Sequence, residues 1–167
     1  MRLVISGNSL PPSTCEALFR NLEHRGLALS KRILFVTDGG SGLLNALRAR
    51  FGKKLVHQRC AIHKSRNLQR HLPKQDRKAA HHQLKTALEQ TSYADARQML
   101  RELEAWLRSK NESAADSLLE AFEELLTLHR LKVPARCARR CCQSTRSRAC
   151  SRWSGTVSAT SSGRVTA

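Results

Sequence analysis

Residues 33–67, ILFVTDGGSGLLNALRARFGKKLVHQRCAIHKSRN, constrain this chain more than any other stretch. An apolar run, Ile33 to Val36, meets Thr37, then a single carboxylate, Asp38, then two glycines. From Ser41 the apolar residues fall at helical spacing. Leu43, Leu44, Leu47 and Phe51 share one stripe, and Gly52 stands past its end. That order reads as a buried strand ending in an acid, a tight turn and a helix. In open α/β sheets, ligands and catalytic groups gather at the carboxyl ends of strands. Asp38 therefore stands where an acid can hold a metal ion on a rigid element.

The flanking segments extend the pattern. Leu3 to Ser6 predicts a short strand, and Ser13 or Thr14 caps a helix running to about Arg25, with Leu18, Phe19 and Leu22 inside. Leu55 to Gln58 predicts a third strand. Strands alternating with helices imply a parallel sheet. From Cys60 the chain becomes helical and basic, with helices expected over 60–72, 75–90, 93–110 and 113–131. The last two carry Met99, Leu100, Leu103, Trp106 and Leu107, then Leu118, Leu119, Phe122, Leu125, Leu126 and Leu128, on their inner faces. After Pro134 there is no apolar period and no acid, and such a segment cannot bury enough surface to offset its ordering entropy. The expected organisation is an α/β core over 1–59, a helical insertion over 60–133 and a disordered basic tail over 134–167.

Charge narrows the partner. The 167 residues carry a net +17, and the last 33 hold seven Arg and no acid. Such an excess favours a polyanion, and nucleic acid is the usual one. Arg59, Lys64, Arg66, Arg70 and Lys74 form a basic helical stretch, read either as phosphate contacts or as a solvated face. Cys60 and His63, three apart, share a helical face. They read as a packed Cys beside a hydrogen-bonded His, or as half a zinc site completed by tail cysteines among Cys137, Cys141, Cys142 and Cys150. No P-loop, G-x-G-x-x-G or G-x-S-x-G is present, which argues against nucleotide-hydrolase, dehydrogenase and α/β-hydrolase chemistry. No run reaches the ~20 apolar residues of a membrane span. Met1–Gly7 is too short an apolar stretch for a secretory signal, so a cytoplasmic, nucleoid-associated location is expected.

The blocks VTDGGSGLLNAL, QRCAIHKSRNLQRHLP and LLTLHRLKVPA, in this order, resemble the Mutator-type transposases of bacterial insertion sequences. The resemblance covers about residues 1–135. It rests on Asp38-Gly39, on Gln58-Arg59-Cys60 with His63 and Arg66-Asn67, and on the stretch before Pro134. It implies a partial ribonuclease-H-like sheet with a helical insertion. It also implies a DDE mechanism, in which three carboxylates hold two Mg²⁺ ions for DNA strand cleavage and transfer. Asp38 matches the second acid and metal ligand of the three. Cys60, His63 and Asn67 are implied to be structural or near DNA. Arg59, Lys64, Arg66 and Arg70 are expected to meet phosphates of transposon ends and target, with self-association possible.

The other two acids are not found. None of Leu3–Gly7 is acidic, so the first would lie upstream of Met1. The family pattern continues after V-P-A with a segment like L-S-x-N-x-I-E-S, and this chain instead reads CCQSTRSRACSRW from Cys141. One permitted coding of those residues, read one base earlier, gives LSINAIESMFSM, with the Glu codon straddling Ser147 and Arg148. The hypothesis is that the tail from about Arg136 is out of frame; a gene sequence in which no one-base shift restores N-x-I-E-S would refute it. The expectation is therefore a truncated, catalytically inactive fragment. The alternative is a non-catalytic basic module that binds nucleic acid through charge.

Overall fold

A computed structural model describes residues 2–5, 12–26, 33–134, 156–159 and 165–166. They fall in two compact units, one of residues 1–57 with 145–167, the other of residues 58–144.

The first unit is built on a sheet. Its strands are β1 (Arg2–Ile5), β2 (Leu34–Thr37), β3 (Val56–Arg59, whose last two residues belong to the second unit), β4 (Thr156–Ala159) and β5 (Val165–Thr166). They lie in the order β3-β2-β1-β4-β5. β1 runs parallel to β2, with Leu3 opposite Phe35, and parallel to β4, with Leu3 opposite Val157. The parallel pairing expected from alternating strands and helices is present. The tail expected to lack secondary structure instead contributes β4 and the antiparallel β5. Thr156, Val157, Val165 and Thr166 are β-branched, which suits them to a pleated ladder despite the missing apolar period. The other tail residues, Arg136 and the four tail cysteines among them, lie outside the described set.

Helices α1 (Pro12–His24) and α2 (Ser41–Phe51) complete this unit. Cys15, Phe19 and Leu22 from α1 are buried with Ile33, Phe35, Leu43 and Leu47. Phe51 meets Phe19 edge-on at 5.9 Å and Phe35 at 4.8 Å, geometries that favour ring quadrupoles. Arg50 links the two helices, donating to Glu16 and to both oxygens of Glu23. Gly52, at φ +49°, ends α2 in a left-handed conformation that a Cβ would strain.

The second unit is helical: α3 (Ala61–Arg70), α4 (Lys74–Glu89), α5 (Tyr93–Lys110), α6 (Glu112–Glu120), α7 (Phe122–Leu125) and α8 (Thr127–Arg130). Ser92 caps α5 by accepting from Ala94 N–H, and Asn111 caps α6 by accepting from Ala114 N–H. Leu68, Leu84, Leu100, Leu103, Leu107, Leu118 and Leu125 share one buried core. The single helix expected over 113–131 is broken at Ala121 and Leu126, whose ψ angles are 6° and 1°. Leu119, expected inside, is 37% exposed, while Ala114, Ala115 and Leu118 form the buried stripe of α6. The segment closes with Lys132 at φ 53°: its N–H donates to the His129 carbonyl and that of Val133 to the Leu128 carbonyl. This is the paired bonding of a left-handed helix cap.

Candidate functional site

In the first unit, β2 delivers Asp38 to its carboxyl end. Phe35, Val36 and Thr37 are buried, and Asp38 is half-buried. Gly39, at φ +94°, turns the chain, a conformation glycine adopts without steric cost. Its N–H donates to Thr37 Oγ1 at 3.2 Å, and Gly40 N–H donates to Asp38 Oδ1 at 3.1 Å. Thr37 Oγ1 also lies 2.8 Å from Nε2 of the buried His57 on β3. The acid-bearing turn is thus pinned locally by Asp38 itself and across the sheet by the Thr37–His57 bond. Asp38 precedes the N-terminus of α2, where the helix dipole favours a negative charge.

A metal pair asks for more donors. Among the described residues no group of three His, Cys, Asp or Glu side chains converges. The only other acids of this unit, Glu16 and Glu23, hold Arg50. The described residues therefore do not fit the two-ion site that the family pattern implies.

In the second unit, the block from Gln58 to Arg70 divides by face. Gln58, Arg59 and Lys64 point inward. Arg59 is 3% exposed and donates to Glu124 Oε2 at 3.0 Å and Glu120 Oε1 at 2.6 Å. Lys64 is 1% exposed and donates to the Ser117 carbonyl at 2.6 Å, to Ser117 Oγ and to Glu120. Burial lowers the Lys64 pKa against the pull of Glu120. Burial alone would raise the Glu120 carboxyl, but Lys64 and Arg59 outweigh it and hold it below the usual range. Arg59 and Lys64, expected on a basic surface, are instead internal, because α6 and α7 supply carboxylates that meet them.

Arg66 and Arg70, one turn apart on α3, are exposed, as are Lys74 and Lys78 on α4. The hairpin's acid, Asp76, faces Lys110 at 3.8 Å. On α5 the cations sit among acids: Arg97 by Glu123, Arg101 by Glu104, and Arg108 by Glu104, Glu112 and Asp116. Among the described residues of this unit, exposed cations without an ion pair cluster on the α3–α4 hairpin, with Arg130 and Lys132 the others. Cys60 caps the start of α3 and is half-buried, as are His63 and Asn67. The His63 Nδ1 is buried with no hydrogen-bond partner, so the expected hydrogen-bonded ring is unmet at that nitrogen.

The transposase profile described as "Transposase, Mutator family" matches residues 11–146. The chain belongs to the Mutator family of transposases. The family brings DNA as a partner, and no described helix of this transposase is long and apolar enough to cross a membrane. No curated protein matches the sequence. Reasoning from sequence named Gln58 in the motif but missed its contacts, and missed His57, Glu120 and Glu124 as parts of the motif's surroundings. Three polar residues, His57-Gln58-Arg59, inside a strand, and two acids four apart, Glu120 and Glu124, were the signals that could have found them.

Proposed function

We propose that this transposase chain engages DNA through the α3–α4 hairpin, with Arg66, Arg70, Lys74 and Lys78 meeting backbone phosphates of element ends or target. The observation that carries the reading is the cation distribution. Among the described residues of the second unit, Arg66, Arg70, Lys74 and Lys78 are exposed without an ion-pair partner and cluster on that hairpin, while Arg97, Arg101 and Arg108 of α5 have carboxylate neighbours. Cations so placed neutralise phosphates without reading sequence, so binding should be non-specific and salt-sensitive. Asp38, on a sheet we read as part of a ribonuclease-H-like core, is the family's metal-ligand position. Mg²⁺-dependent strand cleavage asks for further carboxylates, and we propose that this chain does not cleave by itself. Self-association on DNA in the bacterial nucleoid is part of the same reading.

Two measurements test it. DNA retention should weaken with salt, and the Arg66→Ala/Arg70→Ala double variant should flatten the log–log slope by roughly two. Retention with an unchanged slope would reject the hairpin. In a strand-transfer assay on end-bearing DNA with Mg²⁺ or Mn²⁺, no turnover is expected. Turnover abolished by Asp38→Asn would overturn the inactive reading while leaving the hairpin reading intact.

A further inference from the structure

The segment Glu112–Arg130, ESAADSLLEAFEELLTLHR, contains neither Gly nor Pro and is rich in strong helix formers. Local sequence therefore favours one unbroken helix, and the breaks at Ala121 and Leu126 need another cause. Sharp breaks without Gly or Pro arise where a side chain inserts into the backbone ladder.

Gln58 makes that insertion. It is fully buried. Its Nε2 donates to the Leu125 carbonyl at 3.0 Å and to the Arg59 carbonyl at 3.0 Å, and its Oε1 accepts from Leu128 N–H at 3.1 Å. In a continuous helix the Leu125 carbonyl would receive His129 N–H, and Leu128 N–H would donate to Glu124. The amide replaces one acceptor and one donor on either side of Leu126. Its neighbours grip the preceding turns: Lys64 holds Ser117 and Glu120, and Arg59 holds Glu120 and Glu124. Lys64, Arg59 and Gln58 thus engage successive positions from 117 to 128.

We propose that Gln58 is a positioning residue: its side-chain amide creates the α7–α8 break and thereby sets where α8 and its Lys132 cap lie within the helical unit. Without it the segment relaxes towards a continuous helix. The inference concerns the second unit alone and does not depend on DNA contact.

Backbone NMR on the full chain tests it. In Gln58→Leu, which keeps the buried volume but not the hydrogen bonds, the Cα shift of Leu126 should move to a helical value. A hydrogen-bond scalar coupling from Leu128 N–H should then reach the Glu124 carbonyl, while the Leu103 and Leu107 amides stay protected. An unchanged Leu126 shift in the folded variant would overturn the proposal. If Gln58→Leu does not fold, the unsubstituted chain decides. Slow exchange of both Gln58 Nε2 protons, relative to those of the exposed Gln98, supports the amide as the splint, and equal exchange overturns it.

Discussion

Helix α3 presents like charges to opposite environments. Lys64 lies under α6 with three oxygen partners, while Arg66 and Arg70 on the same helix stand exposed. Arg59, just ahead of α3, shares the inward fate of Lys64. Two residues of spacing separate a structural cation from one available to a polyanion, because 3.6 residues per turn carry positions 64 and 66 to different faces. In a motif dense with Arg and Lys, the positive charge itself says little about role. The location of the matching carboxylates says more.

The sharpest way to break this contrast is to remove an inward cation. Arg59→Ala should cost about 3 kcal/mol of stability, near the low end for breaking a buried ion pair, since Glu120 is 59% exposed and water can take it up. Arg66→Ala should stay within about 0.5 kcal/mol. Urea unfolding of the two variants measures the gap, and equal losses would erase the distinction between faces.

The sheet unit offers a second, milder version of the same test. There the motif acid is held by bonds between near neighbours and by one cross-strand contact. Thr37→Val keeps the shape but removes the acceptor for Gly39 N–H and the 2.8 Å partner of His57. A loss of about 1–2 kcal/mol is expected, the range for buried polar groups deprived of a partner. Asp38→Asn should be nearly neutral to folding, because an amide oxygen can still accept from Gly40 N–H. A large destabilisation by Asp38→Asn would mean that the carboxylate's charge, not its turn geometry, maintains this region.

A smaller effect is expected in DNA affinity at moderate salt. Lys64→Met should leave the salt dependence of binding unchanged, because its ammonium never reaches solvent, whereas each of Arg66→Ala and Arg70→Ala should reduce the slope by about one. Filter retention over a salt series reads this directly. A flattened slope in a folded Lys64→Met protein would place that lysine on the DNA.

What the sequence made legible follows the reach of each interaction. The strand, turn and helix around Asp38 were readable because apolar period, the Gly-Gly pair and helix stops are local signals, and α2 spans Ser41–Phe51 as its stripe implies. The α5 boundaries were readable for the same reason, from the Ser92 cap to Lys110. The break in the last helix was not, since the bonds that impose it come from Gln58, 67 residues away from Leu125. Burial of Arg59 and Lys64 was hidden for the same reason. A helical wheel of α3 shows which residues share a face, but not that Glu120 and Glu124 wait on the neighbouring helices. The partnerless Nδ1 of His63 had no sequence signal that we can identify.

The faintest effect separates a buried neutral group from these buried charges. His129 donates from Nε2 to the Gln90 carbonyl at 3.0 Å, while its Nδ1 is buried without a partner. Burial lowers its pKa below the ordinary imidazole value, and the backbone carbonyls of Gln90 and Leu88 only partly counter this. The folded state therefore binds the second proton less readily than the unfolded chain does. Stability is fully present above the unfolded imidazole value of about 6.5, and is lost as pH falls from there through the depressed folded pKa. Urea unfolding at pH 7.5 and 5.5 should show a larger acid loss for the unsubstituted chain than for His129→Gln, whose amide can still donate to Gln90. The other histidines contribute equally to both and cancel in the difference. Parallel losses would mean that burial does not hold this ring neutral, and that the contact between α8 and the end of α4 tolerates a charged imidazole as readily as the α6–α7 carboxylates tolerate their buried cations.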